Sequence, residues 1–265
     1  MALMNLRHST FTFLATISLI AAPFVVLAKD PPSPGSPLAP VSSVAPSATP
    51  PSIDPKTVPL ETEYTLAGGG EDGKRYLGNV ALTRVTGETY VATWTLETNS
   101  LAGVAIRSGD VLSGGWAKKI ADTNVITYVV KADGLEGKSV RADAKKIGTE
   151  ILRPAGAEMA SDLAGKYLIQ TGKTPEGKKY GGSVVLTKVG DTSYTVKWVI
   201  GGSILHGVGL RLKREASDIL TVAFPSTGTD YGAVQYVIGP DKKLKGTWMM
   251  SVNGLFTKGT EQSTQ

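Results

Sequence analysis

The sequence predicts an all-β protein in which a small antiparallel β-barrel occurs twice. Runs with apolar residues at alternate positions recur about every 10 to 15 residues, which is the strand signal. The turns between them are short and draw on a chain with 31 glycines and 15 prolines. The second half of the chain also repeats the first half, so that each copy accounts for about 100 residues.

Residues 1–28 have the pattern of a signal peptide. Arg7 and His8 precede an apolar stretch, and the stretch ends at Val26-Leu27-Ala28, where small residues suit signal peptidase. We expect cleavage after Ala28 and export to the periplasm, the cell surface or the medium, with no transmembrane span afterwards. An uncleaved membrane anchor is the alternative, because the apolar stretch approaches the length of a membrane span.

Residues 29–60 form a proline-rich linker, and ten of the fifteen prolines lie between positions 31 and 59. Such a segment forms neither a helix nor a sheet ladder, so we expect a disordered, extended spacer. The chain contains no cysteine. Thiol chemistry and cysteine-ligated metal centres are therefore excluded, and the exported domains have to fold without disulfides.

The repeat predicts three further boundaries: a first barrel at 61–152, a connector at 153–164 and a second barrel at 165–262. The two copies share a signature of aromatic residues in the same order and at closely similar spacing, and both end in Gly-Thr-Glu. The matched aromatic pairs are Tyr76 and Tyr180, Trp94 and Trp198, and Tyr128 and Tyr236.

Seven strands are predicted in the second copy, and the first copy follows the same pattern. They are 166–170, 180–189, 193–200, 205–212, 219–224, 233–238 and 243–250. Short turns make consecutive strands antiparallel neighbours. Seven or eight strands in each copy suit a calycin-like barrel, because closure removes exposed sheet edges, with a sandwich as the alternative.

The familiar catalytic and metal motifs do not occur, so we predict no catalytic residue, no metal site and no cofactor. His206 is the one histidine after the signal peptide, and no nucleophile elbow accompanies it. Glu71-Asp72 lacks the pattern of a calcium loop. The surrounding run 68–73 is glycine-rich, but a strand follows it where a phosphate loop needs a helix.

Glu150 and Glu261 recur at the end of the two Gly-Thr-Glu motifs. Paired carboxylates could serve a glycosidase. The favoured interpretation is a structural role at the end of the last strand, where each carboxylate accepts hydrogen bonds from loop amides.

The tryptophans are where ligand contact is most expected. Trp94 and Trp198 are in phase with core residues and are assigned to packing. Trp248 has no aromatic counterpart, since Ser139 occupies its place in the first copy. Packing in the core is the favoured interpretation of Trp248, and the alternative is a ligand or partner surface specific to the second copy, formed by Trp248 with Tyr231 and His206.

The second copy, residues 165–261, resembles a family of secreted bacterial repeat proteins often labelled fibronectin-binding. The resemblance lies in the order and spacing of these motifs: Tyr, Gly-Lys-x-Tyr-x-Gly-x-Val, Tyr-x-x-x-Trp, Gly-Val, Leu-x-Gly-x-Trp and Gly-Thr-Glu. The first copy departs from it by lacking the late tryptophan. The resemblance implies a surface or periplasmic β-domain with a role in adhesion, and no functional residue is carried over from it.

These observations lead to a non-enzymatic binding or adhesion module as the expected function. Its partner would be an extracellular matrix protein, a glycan or an envelope component, and duplication would raise avidity. The net charge is +5, but the basic residues are scattered among acidic ones, which does not favour a nucleic-acid partner. One alternative is a calycin-like carrier or inhibitor that holds a small apolar ligand or a protein partner, and the other is a carboxylate-dependent hydrolase.

Overall fold

The computed structural model describes residues 58–97, 99–215 and 217–264. The predicted signal peptide and nearly all of the predicted linker lie outside these residues. The described part contains sixteen strands and one short 3-10 helix, Ile120–Asp122. The strands are β1 (Glu63–Gly70), β2 (Arg75–Thr86), β3 (Thr89–Leu96), β4 (Asn99–Ser108), β5 (Val111–Ala117), β6 (Thr123–Lys131), β7 (Gly134–Arg141), β8 (Gly148–Pro154), β9 (Gly165–Lys173), β10 (Lys179–Lys188), β11 (Ser193–Ile200), β12 (Ser203–Arg214), β13 (Ser217–Pro225), β14 (Tyr231–Ile238), β15 (Leu244–Val252) and β16 (Leu255–Ser263).

The strands close into two antiparallel barrels of eight strands each, which confirms the predicted fold class. One barrel contains β1 to β5 followed by β14 to β16, and we call it the split barrel. The other contains β6 to β13, an unbroken segment from Thr123 to Pro225, and we call it the inserted barrel. The last strand, β16, is the eighth strand of the second copy and lies beyond the seven that the sequence predicts.

The barrels do not coincide with the sequence repeats at 61–152 and 165–262. Each barrel takes five strands from one copy and three from the other. Four ladders join the two copies: β1 with β16, β5 with β14, β6 with β13, and β8 with β9. The predicted connector at 153–164 therefore joins two neighbouring strands, β8 and β9, inside the inserted barrel.

The exchange occurs at two matched crossings, residues 118–122 and 226–230, where the chain passes between barrels. In a barrel built from one copy, each of these segments would turn back as a hairpin. Here they bond to each other: the Lys118 amide donates to the Asp230 carbonyl at 3.0 Å, and the Ser226 amide donates to the Asp122 carbonyl at 2.8 Å. Because the two copies are alike, the last three strands of each copy can complete the barrel that the first five strands of the other copy begin.

Strand periodicity places one face of each strand inside its barrel. In β11, Tyr194, Val196 and Trp198 are buried at alternate positions, as predicted. The core of the split barrel includes Trp94 and Trp116. The inserted barrel has an equivalent core around Trp198.

A third buried cluster lies between the barrels and includes Val104, Val208 and Met249. A polar group joins it, because Ser113 lies 2.7 Å from the Thr221 hydroxyl and also hydrogen-bonds Thr127. The barrels approach so closely that a Cβ at Gly115 would lie 2.5 Å from the Ala223 Cβ. The two barrels are therefore packed against each other through a dense interface.

Candidate functional site

The aromatic signature of the repeat converges on one buried glutamate in each barrel. In the split barrel, Tyr76 and Trp94 from the first copy meet Tyr236 and Glu261 from the second. In the inserted barrel, Tyr128 and Glu150 from the first copy meet Trp198 from the second. Strand exchange therefore makes each cluster a joint product of both copies.

In the split barrel both oxygens of the Glu261 carboxylate are occupied. The Tyr76 hydroxyl donates to Oε2 at 2.6 Å, and the Tyr236 hydroxyl donates to Oε1. The Trp94 indole donates in turn to the Tyr236 hydroxyl at 2.8 Å. Glu261 is 6% exposed, so this chain of donors replaces the water that the carboxylate has lost.

In the inserted barrel the Glu150 carboxylate is satisfied on one side only. Oε1 accepts from the Tyr128 hydroxyl and from the Trp198 indole, the latter at 3.4 Å. Oε2 has no hydrogen-bond partner among the described residues, although Glu150 is only 1% exposed. Tyr180, the counterpart of Tyr76, lines the same pocket and lies close enough to lower the pKa of Glu150, but its hydroxyl does not reach hydrogen-bonding geometry with Oε2.

Burial dominates the electrostatics of both clusters. It raises the pKa of Glu150 and Glu261, and hydrogen bonds from the tyrosines oppose this shift only in part. Burial, together with the neighbouring glutamate charge, raises the pKa of Tyr128 and Tyr236 well above 10. The tyrosines thus remain neutral donors, and each glutamate holds its proton more tightly than an exposed glutamate does.

Each glutamate lines a pocket at one end of its barrel, where the pocket is bordered by the turns between strands. The pocket of the split barrel has a volume of about 240 Å³ and is lined by Trp94, Trp116 and Trp248. The pocket of the inserted barrel has a volume of about 410 Å³.

The difference in volume has a visible cause. In the split barrel, the Trp248 ring packs over Gly259, where a Cβ would lie 2.4 Å from it. Ser139 takes the place of Trp248 in the inserted barrel, and Gly148 takes the place of Gly259. The smaller side chain leaves the second pocket wider.

Each pocket also has an acidic residue at its rim. The pKa of this rim acid is lowered, whereas the pKa of the buried glutamate is raised. Hydrogen bonding by Lys74 lowers the pKa of Asp72. Hydrogen bonding by Thr174 lowers the pKa of Glu176, whose carboxylate also lies 2.9 Å from Arg141. The rim acids are therefore ionised and already paired with cations.

The structure does not bring the three predicted ligand residues together. Trp248 lines the pocket of the split barrel. His206 and Tyr231 line a separate groove of about 420 Å³ with Phe256. Tyr231 is only 6% exposed and belongs to the cluster between the barrels.

The glutamate prediction was half right. The recurring Glu150 and Glu261 are buried inside the barrels, and their partners are tyrosine and tryptophan side chains where loop amides were expected. The two carboxylates also lie in different barrels, so they do not form a glycosidase pair. The matched tyrosines are evident in the sequence as a repeat signature, but no local pattern connects them with the glutamates.

The remaining candidates are surface features. Glu71 and Asp72 pair with Lys258 and Lys74 at 2.9 and 3.0 Å. Across the described residues, no group of three or more histidines or acids is arranged to hold a metal ion.

Comparison of the chain with protein-family models, curated proteins and solved structures gave no match. In the part of the chain that the structure describes, no helix has the length and apolar character needed to cross a membrane.

Proposed function

We propose that the protein is a binding protein that holds one small ligand in the pocket of each barrel. The observation that carries this proposal is the repeated design of the two pockets, in which aromatic walls lead to a buried carboxylate. Ligand sites typically combine an apolar lining with a few oriented polar groups. An eight-stranded barrel has room for one small ligand.

Binding is favoured over catalysis by the way the acids are engaged. In the split barrel, both oxygens of Glu261 accept from tyrosines, which leaves no free oxygen for proton transfer. In the inserted barrel, the rim acid Glu176 is held by Arg141. These contacts suit fixed polar anchors better than an acid and base that exchange protons with a substrate.

The test uses the neutral fluorescent probe N-phenyl-1-naphthylamine with the full chain. We expect saturable binding with two sites. Leu101 and Leu205 occupy matched positions, one in each pocket. Leu101→Glu and Leu205→Glu should each remove one site, and the double variant should remove both.

Leu77→Glu is the matched control, because Leu77 is 64% exposed. It should leave both sites intact. Probe binding that neither pocket variant changes would refute the proposal.

A second candidate function is contact with an extracellular macromolecule such as fibronectin. An apolar surface patch on the β15–β16 hairpin favours it: Val252, Phe256 and Leu255 are 43%, 47% and 74% exposed. Exposed apolar patches often mark interaction sites. The double variant Leu255→Glu with Phe256→Glu should weaken binding to immobilised fibronectin at least tenfold, and Leu77→Glu should not. Equal binding by all three proteins would exclude the patch.

We also propose that the protein is exported. The support is the sequence of residues 1–28, with the small residues Val26 and Ala28 before the expected cleavage point. N-terminal sequencing of the mature protein should begin at Lys29. A mature protein that retains Met1 would contradict cleavage.

A further inference from the structure

The unpartnered oxygen of Glu150 distinguishes the inserted barrel from the split barrel. A buried acceptor without a partner is uncommon and unfavourable. In the split barrel, the Tyr76 hydroxyl donates a hydrogen bond to the equivalent oxygen, Glu261 Oε2, at 2.6 Å. The inserted barrel retains the tyrosine as Tyr180, whose hydroxyl lies near enough to interact with the Glu150 carboxylate but leaves Oε2 without a hydrogen bond. A donor from outside the chain could therefore occupy this position.

The pocket above Glu150 is lined by aromatic faces. The rings of Trp198 and Phe224 lie 4.8 Å apart at an angle of 41°, and Tyr180 lines the same pocket. Aromatic faces attract a cation within about 6 Å of the ring. They also provide apolar surface for the body of a ligand.

The charges at the rim do not favour an anion. Among the described residues that line this pocket, Arg141 is the one cationic side chain. Its guanidinium contacts both Asp143, at 2.5 Å, and Glu176, at 2.9 Å. The two acids offset its positive charge, so a ligand carboxylate or phosphate would find no free cation there.

We propose that the pocket of the inserted barrel binds a small organic amine, whose ammonium group donates to Glu150 Oε2 while its apolar body packs on Trp198 and Phe224. The ammonium supplies the missing donor and the positive charge that an ionised buried carboxylate requires. This proposal rests on the proposed function, because it specifies the ligand class of one of the two pockets. The split barrel, in which Glu261 is already saturated, does not share this preference.

The experiment compares 2-phenylethylamine with its neutral isostere 2-phenylethanol by calorimetry on the full chain. At pH 7 the amine is protonated, as a lysine side chain is. We expect the amine to bind at least tenfold more tightly than the alcohol, with one amine per chain. Glu150→Gln should abolish this preference. Glu136→Gln makes the same chemical change on the outer face of the neighbouring strand β7 and should preserve it.

Ser139→Trp provides a second variant if Glu150→Gln fails to fold. It copies the cross-strand pair of Trp248 with Gly259, because Ser139 pairs with Gly148 in the same register. This variant should fold and lose amine binding. Equal affinity for amine and alcohol, or an amine preference that survives Ser139→Trp, would overturn the inference. In either case, saturable binding of N-phenyl-1-naphthylamine would still support the proposed function. If the probe did not bind, both the proposed function and the amine inference would be refuted.

Discussion

The hydrogen bond between Tyr76 and Glu261 joins residues 185 positions apart in sequence, and it exists only if the copies exchange strands. Tyr76→Phe removes the donor and Glu261→Gln removes the charge. The bond is short, at 2.6 Å, and its acceptor is 6% exposed. Hydrogen bonds contribute about 0.5–1.5 kcal/mol, or about 1.5–3 kcal/mol when one partner is charged. We expect a coupling free energy of about 1–2 kcal/mol between the two substitutions.

The assay is urea denaturation of the wild type, the two single variants and the double variant, analysed as a double-mutant cycle. A second cycle pairs Tyr180→Phe with Glu261→Gln. Tyr180 lies in the other barrel, so this pair should be additive within about 0.5 kcal/mol. If each copy formed its own barrel, Tyr180 would face Glu261 and the results would be reversed. Coupling in the Tyr180 cycle with additivity in the Tyr76 cycle would refute the reasoning.

Two further predictions concern the barrel interface and the buried acids. Gly115→Ala should lower the free energy of unfolding by about 1–3 kcal/mol, because its Cβ would lie 2.5 Å from Ala223; Gly181→Ala, with open space around its Cβ, should change it by less than about 0.5 kcal/mol. Equal effects in urea denaturation would contradict the packing described. Burial raises the pKa of Glu261, so its contribution to stability is greatest at low pH and is lost as pH rises through the folded-state pKa. Glu261→Gln should therefore gain stability relative to wild type as pH rises above the ordinary glutamate range of about 4, and a constant difference would argue against a raised pKa.

The fold class could be predicted because it depends on local patterns. In β11, alternation places Tyr194, Val196 and Trp198 on one face, and the structure buries all three. The strand exchange could not be predicted in the same way. Tyr128 and Tyr236 occupy equivalent positions in their copies, so either would satisfy the core of either barrel, and the choice depends on long-range packing between barrels.

The candidate site was found only in part, for a related reason. Gly-Thr-Glu marked Glu150 and Glu261 by recurrence, but β16 is rich in polar residues and lacks the apolar alternation that would have identified it as a strand. Without β16, the sequence predicts Glu261 at the end of the last strand, bonded to loop amides, and not inside the barrel. The sequence shows Ser139 in the place of Trp248, but it cannot show that this difference widens a pocket.

Engineered disulfides test the exchange of strands most directly, because the chain has no cysteine of its own. Ala67 on β1 pairs with Gln262 on β16, and Ile151 is the counterpart of Gln262 in the first copy. Paired residues of antiparallel strands lie about 4.5–5.5 Å apart at Cα, within the range that a disulfide accepts. We predict that Ala67→Cys with Gln262→Cys forms a crosslink under oxidation, detected by peptide mapping, and that Ala67→Cys with Ile151→Cys does not. A crosslink in the second pair and free thiols in the first would contradict the exchanged barrels and the sites that they assemble.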